Sequence, residues 1–321
     1  MQFSAWMYPV SPDFDWRKKL TELTEIGIDR IFYEGRNLEP ALKAATDLPI
    51  EIHKWLWIVN HPDPPLYQEK PELFMVNKKG ENCAFQPPYV NYYRWLCPNN
   101  PESLEEIFTS IKPFLQIDEL AGIHLDYIRY PDVFLPAGLQ ADYGLYQISE
   151  MPEFDYCYCP HCLSAFRAQT GWNAKNLRSS TEKEAWRKFH LDSISHLVQE
   201  ICEMIDTSGK QVTAAVFPSP SEAARCVRQD WRDWPLDAAF PMLYHTFYHE
   251  NIDWIGEMIE LCRQESRIPL HAGIYLPGLA AADFRKIIEI AHESGAAGVC
   301  LFPSDRISEP IKEIIKDAKS N

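Results

Sequence analysis

QVTAAVFPSP (211–220), DAAFPMLYH (237–245), PLHAGIYLP (269–277) and AGVCLFPSD (297–305) follow one another through the last third of the chain, each a short β-rich apolar run. Between and after them lie longer amphipathic stretches: one near Glu222, then Asn251 to Arg263, Ala281 to Glu293, and one from Glu309. An apolar strand followed by an amphipathic helix, repeated, predicts a parallel sheet built from βα units. The same unit recurs four times toward the N-terminus. FSAWMY (3–8) precedes a helix that starts near Asp13 and Trp16 and runs to Glu25, and DRIFYEGR (29–36) precedes one from Leu38 to Ala45. IEIHKWLWIVN (50–60) has its helix only at Pro101, and GIHLDYIRYP (122–131) has its helix from about Glu182 to Asp206. Eight units with nothing left over predict a closed (β/α)8 TIM barrel over residues 1–321 as one domain. An open doubly wound sheet would need a glycine-rich phosphate turn after its first strand, and Tyr8-Pro9-Val10-Ser11 is not one.

Two units carry long excursions, residues 61–97 after the third strand and 132–180 after the fourth. Functional groups in such barrels come from the C-terminal ends of the strands, and connections beyond ~15 residues are uncommon without a role. Both excursions leave from that end, so they are expected to wall a cleft.

The net charge of -15 argues against a nucleic-acid or anionic-membrane partner and favours a neutral or cationic ligand. Ten Trp and fifteen Tyr supply flat apolar faces of the kind that stack on sugar rings. No run of eighteen apolar residues predicts a membrane span. The chain reads as soluble, cytoplasmic as given or exported if its numbering starts after processing.

Asp126 has the strongest claim to chemistry, because it lies in an apolar strand between Leu125 and Ile128, where an unpaired carboxylate is expensive. The competing role is an ion pair with Arg129 or Lys54. Glu34, in FYEGR, is the next acid able to face the cleft, with Arg36 as its alternative partner. Two carboxyls flanking a glycosidic bond act with retention at ~5 Å and with inversion at ~6.5 to 9.5 Å. Arg129, Asn60, Tyr244 and His245 sit at or past strand ends, Asp132 opens the second excursion, and Trp57 and Tyr8 are the best placed sugar platforms. A basic pocket for acidic sugars would have to come from Arg36, Lys54 and Arg129.

The segment DYCYCPHCLSAF (155–166) spaces Cys157, Cys159 and Cys162 so that their thiolates can share one tetrahedral ion. Cys97 or Cys83 would supply a fourth ligand from the other excursion, with His161 as a local alternative. The expectation is a structural zinc. Cys202, Cys226, Cys262 and Cys300 stand singly and read as small apolar residues. No P-loop, nucleophile elbow or HExxH occurs, and no organic cofactor is expected.

Four segments, IEIHKWLWIVN, WLCPNNPES (95–103), GIHLDYIRYP and WRDWPLDAAFPMLYH (231–245), resemble the glycosyl-hydrolase-like family 10 proteins, TIM-barrel glycosidases, in order and spacing. The resemblance implies a polysaccharide or glycan substrate, with Asp126 as the catalytic acid and Tyr244 near the site. The cysteine cluster is locally similar to the zinc cluster of certain β-galactosidase barrels. Retaining barrels carry a nucleophilic Glu on the seventh strand, and HAGIYLPG offers none. The partner acid is then Glu34 or a loop acid such as Asp132, or the substrate's own N-acetyl group assists. The sequence therefore predicts a glycoside hydrolase, against a carbohydrate-binding barrel without chemistry.

Overall fold

In the computed structural model, which describes residues 1–320, eight parallel strands run β1 Gln2–Met7, β2 Arg30–Tyr33, β3 Glu51–Trp57, β4 Gly122–Asp126, β5 Gln211–Val216, β6 Ala238–Pro241, β7 His271–Tyr275 and β8 Gly298–Phe302. Seven neighbouring pairs form a continuous ladder from β6 through β1 to β8 and β7. Parallel bridges Ala239 to Leu270 and Met242 to Gly273 close the remaining seam. The eight-unit reading holds.

The connecting helices are α1 Trp16–Glu25, α2 Glu39–Ala45, α3 Pro64–Glu69, α4 Pro101–Leu115, α5 Ala137–Gln140, α6 Pro160–Thr170, α7 Ser180–Asp206, α8 Pro220–Val227, α9 Asp253–Glu265, α10 Ala281–Glu293 and α11 Glu309–Ser320. Their starts obey local chemistry. Asp15, Asn100 and Ser219 accept backbone N–H bonds at N-caps, and Ser179 with Glu182 forms a reciprocal capping box on the longest helix, α7.

Period-two alternation divides each strand between two cores. Phe3, Ala5 and Met7 of β1 face the helices, whereas Trp6 joins Phe32, Trp55, Phe240 and Cys300 inside the barrel. His124 lies within this inner layer, stacked on Phe32 at 3.8 Å, accepting from Trp6 Nε1 at 2.9 Å and meeting Thr213 Oγ1 at 2.8 Å. Two glycines make room for further inward histidines. A Cβ at Gly122 would stand 2.3 Å from His53 Nδ1, and one at Gly298 would stand 2.4 Å from His271 Nδ1 and 2.7 Å from the carbonyl of Gln2. Backbone on one side and a packed ring on the other leave no escape. Gly298→Ala is therefore expected to cost ~1–3 kcal/mol, as overpacking does, read as a lower urea midpoint at unchanged slope. A midpoint equal to that of the wild type would refute it.

The two excursions are fastened to each other. Asn77 bridges Tyr156 antiparallel, Lys78 N–H reaches Asp155 O at 2.9 Å, and Tyr158 N–H reaches Val76 O at 2.7 Å. The Tyr89 ring stacks on Phe154 at 4.4 Å while its hydroxyl donates to Asp132 O at 2.8 Å. Together they form a second layer over the C-terminal mouth of the barrel. No helix among the described residues is long and apolar enough to cross a membrane.

Candidate functional site

Asp126 is the last residue of β4, and alternation aims it inward. Its carboxylate is held from two sides: Trp55 Nε1 donates to Oδ2 at 2.9 Å, and the N–H of Tyr127 donates to Oδ1 at 2.6 Å. Tyr127 adopts φ 48°, a left-handed conformation unfavourable for a bulky residue. The strand ends here, earlier than the run GIHLDYIRYP implies. Burial pushes Asp126 up from an ordinary 3.8 to about 6, with the two hydrogen bonds and the Arg129 charge opposing.

Neither cation weighed as its partner pairs with it. Arg129 forms a buried ion pair with Asp132 at 3.0 Å and donates to Tyr130 O at 2.9 Å. Lys54 points out of the barrel, donating to the backbone carbonyls of Glu34 and Gly35. Asp126 is a buried carboxyl without a salt bridge.

It lies on the floor of a cavity of about 420 Å³. The floor and sides include Trp6, Tyr8, Trp55, Trp57, Tyr127 and Phe302 from the strand ends. The excursions add Tyr89, Tyr92 and Tyr93 from the first, and Asp132, Leu139 and Tyr143 from the second. Tyr244, Phe247 and Tyr248 close the remaining side.

Of the residues singled out from sequence, the cavity thus gathers Asp126, Arg129, Asp132, Trp57, Tyr8 and Tyr244. Glu34, Asn60 and His245 are not among its lining residues. Glu34 comes directly after β2, half-buried, its carboxyl raised by burial and by the charge on Asp126, with Lys54 opposing. Asn60 is fully buried and accepts the N–H of Arg94 at 2.9 Å, which pins the root of the first excursion. β6 stops at Pro241, short of the expected end at His245, although Met242 N–H still reaches Val216 O at 2.9 Å. Leu243 N–H then turns onto Gly273 O, Tyr244 comes to lie buried in the cavity wall, and His245 begins a short 3-10 turn outside it.

Trp6 and Trp55 line the cavity beside Trp57 and Tyr8. The wall tyrosines Tyr89, Tyr92 and Tyr93 had only the density of aromatics in YVNYYR (89–94) as a signal, and Tyr143, in the other excursion, had none. Trp55→Phe removes one donor to Asp126 and keeps the ring. Because that bond lowers the acid's pKa, the variant should move the Asp126 titration, followed by carboxyl NMR, upward from about 6. An unmoved or lower titration would show that the bond is not felt by the acid.

At the far edge of the excursion layer, Cys97, Cys157, Cys159 and Cys162 are all buried, with every sulfur within 4.8 Å of the others. Cys97 Sγ lies 3.4 Å from Cys159 Sγ and 3.5 Å from Cys162 Sγ. Asn99 braces the group, its backbone N–H and its Nδ2 each 3.4 Å from a sulfur, and its side chain bonds Ser193. Cys83 takes no part. Its thiol lies 3.5 Å from Trp95 O, and its sulfur accepts the Trp95 N–H. The cluster has the donor set and spacing to bind a metal ion.

No family model matches the sequence, and no curated protein matches it. Solved structures do share its fold. The catalytic domain of a beta-amylase from Paenibacillus polymyxa is 13% identical, with 99% of this chain and 97% of that one covered at a TM-score of 0.60. A chitinase from Chromobacterium violaceum is 10% identical over 100% and 99% of the two chains at 0.56. The spore cortex-lytic enzyme SleL from Bacillus megaterium is 10% identical over 99% of this chain and 73% of that one at 0.54. At these identities what is shared is the barrel.

Proposed function

We propose that this chain is a glycoside hydrolase acting on a polysaccharide or glycan, with Asp126 as the acid that protonates the leaving oxygen. One observation carries the reading: a buried carboxyl without an ion pair, titrating at about 6, on the floor of an aromatic cavity. General-acid catalysis works best when the acid's pKa lies near the working pH, and protonation of a leaving group by a placed acid is worth ~10²–10⁴-fold. Trp57 and Tyr8 offer faces to the sugar, and Tyr244, whose phenol burial keeps protonated, offers a hydroxyl. Arg129 with Asp132 fixes the wall beside them. The sequence resemblance to glycosyl-hydrolase-like family 10 proteins and the fold shared with an amylase and chitinases support the same reading. The test is release of reducing sugar from a panel of soluble polysaccharides, compared between wild type and Asp126→Asn. Equal rates on a substrate that the wild type cleaves would remove Asp126 from the chemistry.

A second reading concerns the partner of Asp126. Glu34 stands outside the cavity lining and Asp132 is committed to Arg129, which favours assistance by the substrate's own N-acetyl group over a protein nucleophile. Under that reading Glu34→Gln retains most of the rate, and N-acetylated substrates are cleaved while their N-unsubstituted counterparts are not.

We further assign the four-cysteine centre to a structural zinc. The four thiolates would hold the ion with no position open for substrate, and none of the four lines the cavity, which fits a role in holding the two excursions together.

A further inference from the structure

We infer that the sugar cleaved in this cavity carries no charge, that anionic sugars are refused, and that sugars bearing a free ammonium bind without being cut. The inference deepens the hydrolase reading and rests on it for its last part.

The charged side chains lining the cavity are Asp126, Arg129 and Asp132. The guanidinium of Arg129 is consumed by Asp132 at 3.0 Å, by Tyr130 O at 2.9 Å and by Tyr93 Oη at 3.4 Å. Its planar group also lies among the rings of Trp95, Phe217 and Tyr127, at 4.9, 5.0 and 5.3 Å. The two other cations of a would-be basic pocket are elsewhere: Lys54 is turned outward onto carbonyl oxygens and the Phe114 ring, and Arg36 is exposed. The wall phenols stay protonated, as burial raises Tyr8 to about 12 and lifts Tyr244 well above its ordinary value. What faces a ligand is therefore an aromatic surface with one unpaired acid, and Glu34, outside the lining, is close enough for its charge and that of Asp126 to interact.

A uronate, sulfate or phosphate entering here would lose its water, find no counter-charge and meet the field of Asp126 within a chain of net charge -15. An ammonium would be attracted by the ring faces and by the acid. That attraction is the reason it is not a substrate. A positive charge within ~4–6 Å favours the ionised form of a carboxyl, lowering its pKa by ~1–3, and would strip Asp126 of the proton that the leaving oxygen requires. An uncharged sugar leaves the proton in place.

The test uses the wild-type chain on an array of oligosaccharides that includes neutral, N-acetylated, N-unsubstituted amino, uronate and sulfated members, with the soluble counterparts followed by mass spectrometry for cleavage. Neutral or N-acetylated members should be bound and cut, amino members bound and left intact, and uronate or sulfated members bound ~100-fold or more weakly, a deficit of about 2.7 kcal/mol. An anionic glycan bound as tightly as a neutral one, an amino glycan cut as fast as its acetylated form, or an array with no neutral glycan bound would each overturn the inference. Neutral glycans bound with anions refused but nothing cut would leave the charge selection standing and defeat the hydrolase reading alone.

Discussion

Replacing Asp126 by Asn should lower hydrolysis of a true substrate by ~10²–10⁴-fold while leaving its affinity within severalfold, since the amide keeps the shape and lacks the transferable proton. The same substitution should raise stability at neutral pH. In the folded protein Asp126 titrates at about 6 against an ordinary 3.8, so the folded state holds that proton more tightly than the unfolded chain does. The protonated carboxyl thus supports folding below about pH 4, and the advantage is lost as pH rises through about 6. At pH 7.5 the ionised acid is a net burden, and Asn relieves it by roughly 1–3 kcal/mol. Denaturant unfolding at pH 7.5 and at pH 4 checks the sign: the gain of Asp126→Asn over the wild type must shrink in acid. The wild-type activity profile should have its alkaline limb near pH 6 for the same reason. A variant that is inactive and also less stable at pH 7.5 would mean that Asp126 is a structural anchor.

Withdrawing the metal should have the other large effect. Purified protein is expected to contain one zinc per chain. Cys97→Ser or Cys159→Ser should abolish it and cost several kcal/mol, because binding to a closed thiolate site is itself folding free energy. The loss should be local. Hydrogen exchange should accelerate across residues 61–97 and 132–180, where Cys97 and the Cys157 to Cys162 group tie the layers together, and should change little in the strands. Sugar binding should weaken with it, since Tyr89, Tyr92 and Tyr143 stand on those same segments. Metal-free protein with unaltered exchange in both segments would leave the cysteines as buried thiols only.

The barrel was legible because each strand is an apolar run closed by a turn signal, and those local patterns agree with the global closure at β6 and β7. Asp126 was legible for a related reason: a charge in an apolar strand has few inexpensive explanations. The three closely spaced thiols pointed to a centre, but the choice of Cys97 over Cys83 and His161 depended on how residue 97 returns to the excursion layer, a contact across 62 residues. Glu34 and His245 follow their strands but do not line the cavity. The apolar runs overshoot the strands by several residues: β6 ends at Pro241, and the left-handed Tyr127 follows the end of β4. The cavity walls were the least legible part, because side chains in long irregular segments have no period to read.

The bonds that join the two excursions to one another, through Asn77, Tyr89, Asp155 and Tyr158, make the cavity roof one unit, rooted on the barrel at Asn60 and Val133. A substitution that breaks one of these bonds should therefore loosen both segments at once, and the shape of the cavity roof should change as a whole and not loop by loop.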